Sequence, residues 1–138
     1  MLYTICYISS SRENIYPFDL NALFSQVKTT NDELDITGVL IYDQGNFFQV
    51  LEGKTATIVR MYGKIIRDVR HHYIIKLIES TIQDRMFDGY KTGFEVISTT
   101  EKKDKLNNYV KWLKQAENKN VDKVIKIVEN FLRRNTPS

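Results

Sequence analysis

Along the chain hydrophobic positions recur with two periods, and the switches between them mark seven successive elements and a helical tail. Residues 2–8 form a β-branched and aromatic run ending at Ser9-Ser10-Ser11, which predicts a strand. Alternation places Tyr3, Ile5 and Tyr7 on one face and Leu2, Thr4, Cys6 and Ile8 on the other, with little polarity on either, as in a central strand. Pro17 suits a first helical turn, and Phe18, Leu20, Leu23, Phe24 and Val27 follow at helical spacing, predicting a helix over 17–29. Polar residues 29–35 predict a loop. Two apolar stretches, 36–42 and 46–52, predict a hairpin turning at Asp43-Gln44-Gly45. Beyond Gly53, the stripe of Ile58, Met61, Tyr62, Ile65, Ile66 and Val69 predicts a second amphipathic helix reaching about residue 70. Residues 74–83 and 92–98 predict two more strands around a loop at 84–89. Two further helical stripes lie in the tail, one carried by Leu106, Tyr109, Val110 and Leu113, the other by Val121, Val124, Ile125, Val128, Phe131 and Leu132.

The order β-α-β-β-α-β-β predicts an α+β fold of ferredoxin-like type: a mixed sheet with two helices on one face, plus two C-terminal helices. Right-handed crossovers then set the first and third strands side by side at the centre, so positions 7 and 49 become neighbours. The tail helices, apolar along one stripe, are expected to cover the opposite face or meet a partner.

Composition narrows the class without naming a chemistry. At 138 residues, 42% hydrophobic and 27% charged, the chain has the size and balance of one soluble domain. No apolar run approaches the roughly 20 residues of a membrane span, and the first residues lack the features of a secretory signal. Cys6 is the one cysteine, which excludes an internal disulfide and a multi-cysteine zinc site and suggests the cytoplasm. The net charge of +3 is uneven: residues 1–97 carry ten Lys or Arg against twelve Asp or Glu, and residues 98–138 carry ten against five. A solvated helical face accounts for such a basic tail more often than a nucleic-acid surface does.

A few residues stand out from this framework. Gln49 interrupts the apolar run Phe47-Phe48-Gln49-Val50-Leu51. Either it faces outward or bonds a neighbouring backbone, or it is buried and needs partners; grouping with Phe47 and Leu51 by alternation favours burial. Tyr7 by itself reads as a core aromatic with its hydroxyl reaching water. Asp68 follows Lys64 by four residues, which predicts a surface pair on the helix. His71 and His72 are expected near that helix's end beside Arg70, with no spacing suited to a metal. Phosphate loops, nucleophile elbows and a Ser-His-Asp order are missing from the sequence, so no enzymatic activity is expected.

Taken together, several segments resemble the BLUF family, sensors of blue light using flavin. They are Tyr7-Ile8-Ser9, Asn31 five residues ahead of Ile36-Thr37-Gly38, the run from Phe47 to Gly53, and Asp68-Val69-Arg70-His71. The resemblance implies a flavin-binding domain over residues 1–97 and a two-helix cap over 98–138. It also implies an isoalloxazine ring held between the two helices, with Asn31 on its pyrimidine edge, Gln49 between ring and Tyr7, and Leu23, Val27, Thr30, Phe47, Leu51 and Ile65 around it. Lys64, Asp68, Arg70 and His71 would take the ribityl and phosphate side. The cofactor implied is FAD, with FMN or riboflavin as substitutes.

By the same resemblance, light moves an electron from Tyr7 to the flavin and a proton through Gln49. Recombination leaves the amide rearranged and the absorption shifted slightly to the red. The signal would pass to a partner protein, from a homo-oligomer. Where many members carry Trp-Ser-Met, this chain has Tyr90-Lys91-Thr92, which puts Tyr90 and Thr92 on the expected relay and changes it. The rival reading is a flavin-free ferredoxin-like module that binds nucleic acid or protein through its basic tail; membrane binding is not expected.

Overall fold

A computed structural model describes residues 1–12, 17–43, 45–85, 87 and 94–98, and in the tail 122, 125–127, 129 and 130. The elements are β1 (Leu2–Ser11), α1 (Pro17–Glu33), β2 (Thr37–Asp43), β3 (Asn46–Lys54), α2 (Thr55–Ile65), β4 (His71–Ile82) and β5 (Phe94–Ser98). They form one sheet in the order β4-β1-β3-β2-β5. The first four strands pair antiparallel, and β5 joins β2 in parallel, so the sheet is mixed and β1 and β3 are central, as the element order required. Ile5, Leu40, Phe47 and Leu51 from one face of the sheet pack with Leu23 of α1 and Ile58 of α2 in a single core cluster. Both helices therefore lie on the same side. The opposite face is buried as well, with Val39, Ile41, Phe48 and Val50 each at most 1% exposed.

Several boundaries differ from the sequence reading. α1 runs four residues past 29 because the Lys28–Asp32 pair, at 3.2 Å, supports its polar last turns. It stops at Asp35, whose φ of +57° is a left-handed cap, and the Ile36 N–H returns to the Asn31 carbonyl at 2.9 Å. α2 ends at Ile65, not near 70. There the Arg67 and Asp68 N–H groups bond the carbonyls three residues back, tightening the turn, and the Asp68 carboxylate accepts the Arg70 N–H at 2.9 Å. Val69, counted in the helical stripe, is consequently 74% exposed. β4 begins at His71, so neither histidine belongs to the end of a helix.

The register of β4 against β1 shifts twice before it reaches His71, which pairs with Ser11. Between the pairs Ile8↔Ile75 and Ser10↔His72, β4 holds one residue more than β1; a second extra residue lies between Cys6↔Ile78 and Tyr7↔Lys76. These are bulges, each reversing the parity of the alternation. Tyr73, inside the first bulge, has φ +53°, an uncommon conformation for a bulky residue. Gly38 shows a different constraint: at φ +140°, a Cβ there would stand 2.0 Å from the Val50 carbonyl oxygen, so only glycine lets β2 lie against β3.

Beyond β4 the chain is anchored on the far side of the sheet. Arg85 donates to the Asp35 carbonyl at 2.8 Å and to the Thr37 hydroxyl at 3.1 Å, and the buried Glu52 carboxylate accepts from Thr37 and from the Phe87 N–H. Tail residues 122, 125–127, 129 and 130 are helical. The rest of the two predicted tail helices, Tyr90 and Thr92 lie outside the described residues. Among the described residues, no helix is long and apolar enough to cross a membrane.

Candidate functional site

In the central strand pair Tyr7 stands directly opposite Gln49, and Gln49 directly opposite Leu40. Residues paired this way point to the same face, so the three side chains form a row under the helices. Above the row lies a cavity of about 330 Å³. Leu23, Val27, Thr30 and Asn31 line it from α1, and Met61, Lys64 and Ile65 from α2. Phe47 closes the floor, and Asp68, Arg70 and His71 stand at the rim. The volume is at the lower end for small-ligand pockets.

Tyr7 is 4% exposed, and its hydroxyl donates to Oε1 of Gln49. Burial first, then the nearby Tyr62 and Asp68, push its phenol far above the ordinary range, so it keeps its proton. Its ring also packs tilted on Tyr62, with centroids 5.9 Å apart. Gln49, 3% exposed, has no partner for its amide nitrogen among the described residues. The same holds for the whole carboxamide of Asn31, which is 2% exposed. Each unpaired buried amide costs roughly 1–3 kcal/mol, so two of them facing one cavity mark groups that a ligand completes.

The rim is more ordered than a helix surface. Arg70 folds back on Asp68, with its Nε and its backbone N–H each 2.9 Å from Oδ1, and reaches Gln26 on α1 at 3.3 Å. Those Arg70 hydrogen bonds hold the Asp68 carboxyl below the usual range. The expected Lys64–Asp68 pair is not formed, because Asp68 leaves the helix axis in the tightened turn. His71 is buried and bonded at both ring nitrogens, to the Ser9 hydroxyl at 2.7 Å and to the Ile65 carbonyl at 2.6 Å. Because a carbonyl only accepts, Nε2 carries the proton, and in the neutral ring Nδ1 accepts from Ser9.

Of the residues singled out in the sequence, Tyr7, Leu23, Val27, Thr30, Asn31, Phe47, Gln49, Lys64, Ile65, Asp68, Arg70 and His71 all line this one cavity. Leu51 does not. It is fully buried two residues beyond Gln49 and packs in the core beneath the site. Gln26, Leu40 and Met61 were missed. The spacing held a signal for each: Gln26 lies four residues before Thr30, Met61 four before Ile65, and Leu40 faces Gln49 across the hairpin.

Comparison with known proteins gives a family and a fold. The family model BLUF, sensors of blue-light using FAD, matches residues 2–93. The photoactivated adenylate cyclase subunit beta of Euglena longa is 35% identical over 100 residues, covering 72% of this chain and 11% of that protein. Thus the chain spans about a tenth of the length of that curated relative. Among solved structures, Klebsiella pneumoniae BlrP1 with FMN and cyclic diGMP superposes at TM-score 0.77 with 28% identity, over 96% of this chain and 35% of that one. The photo-activated state of BlsA superposes at 0.66 with 27% identity, over 91% of both chains.

Proposed function

This chain belongs to the BLUF family, which senses blue light with a bound flavin, and from that membership we propose that its signal is a rearrangement of the hydrogen bond between Tyr7 and Gln49. One observation carries the reading: Gln49 accepts from Tyr7 through Oε1 while its amide nitrogen, without a partner among the described residues, lines the cavity. When bound, a flavin supplies a flat ring that absorbs blue light and accepts an electron, with an edge of carbonyl and N–H groups.

The residues present fit that group. Leu23 and Val27 on one side and Met61 and Ile65 on the other cover apolar ring faces, and the carboxamides of Asn31 and Gln49 match a polar edge. Lys64, Asp68, Arg70 and His71 hold the ribityl and phosphate side, with Lys64 a cation without an acid partner among the described residues. Thr30 backs Asn31 on the same helix.

On illumination Tyr7 gives up an electron, and its phenol proton moves along the existing hydrogen bond to Oε1 of Gln49. When the electron returns, the carboxamide gives a proton back to Tyr7 and is left with its donor and acceptor ends exchanged, by rotation or tautomerisation. The cavity then meets a stronger hydrogen-bond donor from Gln49, and absorption moves slightly to the red. No substrate is turned over in these steps. A local change of this size acts by biasing a bistable contact with a signalling protein, and we assign the chain a homo-oligomeric, cytoplasmic role of that kind, with residues 1–97 as the sensor, Tyr90 and Thr92 on the relay and 98–138 as a cap. FAD is the cofactor preferred in this reading, with FMN and riboflavin as substitutes.

Absorption spectra of the purified, flavin-reconstituted protein before and after blue light test the proposal. The wild type is expected to show a small red shift that reverses in the dark; Tyr7→Phe and Gln49→Leu should bind flavin and show none. A wild-type shift in either variant removes that residue from the mechanism, and a protein that stays colourless removes the site.

A further inference from the structure

Tyr7 is not an isolated ring. Tyr62 of α2 packs on it with centroids 5.9 Å apart, and the Lys76 ammonium stands over Tyr62, 5.5 Å from its centroid. We propose that Lys76 is a positioning residue for the photoreaction: its cation guards Tyr62 against oxidation, so that the electron vacancy made in Tyr7 stays there until the transferred electron returns. The inference rests on the oxidation of Tyr7 by light.

A bulge puts the cation there. In a regular strand, residues 76 and 79 point to opposite faces. The extra residue Leu77, between Cys6↔Ile78 and Tyr7↔Lys76, brings them to one face: Lys76 lies opposite Tyr7 and Glu79 opposite Ile5, both on the helix side of the sheet. The row Leu40, Gln49, Tyr7 thus ends in a lysine on the edge strand. Glu79 fixes that lysine, since its carboxylate pairs with the ammonium and also accepts from the Tyr3 hydroxyl. Side chains exposed by 41% and 32% contribute little to stability as a salt bridge, which leaves the placement of Lys76 on Tyr62 to be explained.

Tyr62 is where oxidation can escape. Tyr7 is buried and bonded to Gln49, which holds its proton and hands it back. Tyr62 is half-buried, lines a second, open space of about 390 Å³, and has no hydrogen-bond partner for its hydroxyl among the described residues. A phenol that meets water sheds its proton there once oxidised. In that escape Tyr62 gives one electron to the oxidised Tyr7 and its phenol proton to water. Tyr7 is reduced and takes back from Gln49 the proton it had donated. The electron first taken from Tyr7 by the flavin then has no vacancy beside it to return to, and the reversible red shift is not reached. The ammonium opposes the first of these events: it is attracted to the neutral ring but repels the positive charge that develops as the electron leaves. Glu79 does not cancel this field. Burial raises the Tyr62 phenol, and Lys76 lowers it by more than Glu79 raises it.

Two measurements test this. In the flavin-free protein, NMR titration of isotope-labelled tyrosine phenols should place the Tyr62 transition at higher pH in Lys76→Met, which keeps the stem and loses the charge, and close to wild type in Lys76→Arg. A Tyr62 transition that does not move in Lys76→Met overturns the inference. In the flavin-loaded protein frozen under blue light, Lys76→Met should raise the tyrosyl radical seen by electron paramagnetic resonance about two- to fivefold, the size of an exposed cation–π contact, and lower the yield of the red shift. Lys76→Arg should match wild type. Tyr62→Phe added to Lys76→Met should remove the extra radical and restore the red shift, a rescue that a merely structural role for Lys76 does not give. A double variant that keeps the radical, or Lys76→Met with wild-type radical and red shift, overturns the inference while the role of Tyr7 stands. A wild type without a red shift, or a red shift that persists in Tyr7→Phe, overturns the reading of Tyr7 instead.

Discussion

Tyr7 couples stability to the site it serves. Burial raises its phenol in the folded state well above the value near 10 of an unfolded chain. The corresponding stability is fully present below pH 10 and is lost as pH rises above it, because the unfolded chain releases a proton that the folded one retains. Chemical denaturation of the flavin-free protein between pH 10 and 11.5 should therefore show stability falling with pH less steeply in Tyr7→Phe, by about 1.4 kcal/mol per pH unit. Equal slopes would mean that Tyr7 is ionised in the fold. Gln49 and Tyr7 differ in how readable they were. An amide inside an apolar run signals itself, whereas a tyrosine in a strand looks like any core aromatic until its hydroxyl is seen on the amide oxygen. Asn31 is harder still: the polar stretch around it reads as a loop, and only the family resemblance marked it.

Elements were legible where a period persists and illegible where a side chain overrides it. The strands and both helices followed from alternation and the helical stripe. The end of α2 did not, because Asp68 satisfies the Arg70 N–H with its own carboxylate, a local bond that hydrophobic spacing does not encode. The β4 bulges escape for a similar reason: an inserted residue leaves the composition of a strand unchanged while inverting the faces beyond it, and the two together restore the original faces but shift the register by two residues, which sets His71 opposite Ser11. Gly38 is where the sequence dictates the hairpin most sharply. Gly38→Ala puts a methyl into the Val50 carbonyl and should destabilise the domain by more than about 3 kcal/mol in urea unfolding. A loss below about 1 kcal/mol would show that β2 can slide away from β3.

For the molecule as a whole, the site is a gap between the sheet and its two helices. Both faces of β3 are buried, and Arg85, Glu52 and Thr37 tie the chain beyond β4 to the far side. The cavity with its two unpaired amides is therefore where a ligand adds most. Flavin at a hundredfold excess over its dissociation constant should raise the melting temperature by about 8 °C, since such binding contributes about 2.7 kcal/mol. A rise below about 2 °C in a thermal-shift measurement would mean that flavin does not bind the folded chain selectively.

Tyr7 and Gln49 lie 42 residues apart in the chain and meet only through the β1–β3 register. Pairings of such long sequence separation form slowly, after local turns and helices. The capacity to respond to light is thus acquired late in the folding of the chain, together with the central strand pair. A newly made molecule with its hairpin and helices already in place is still blind.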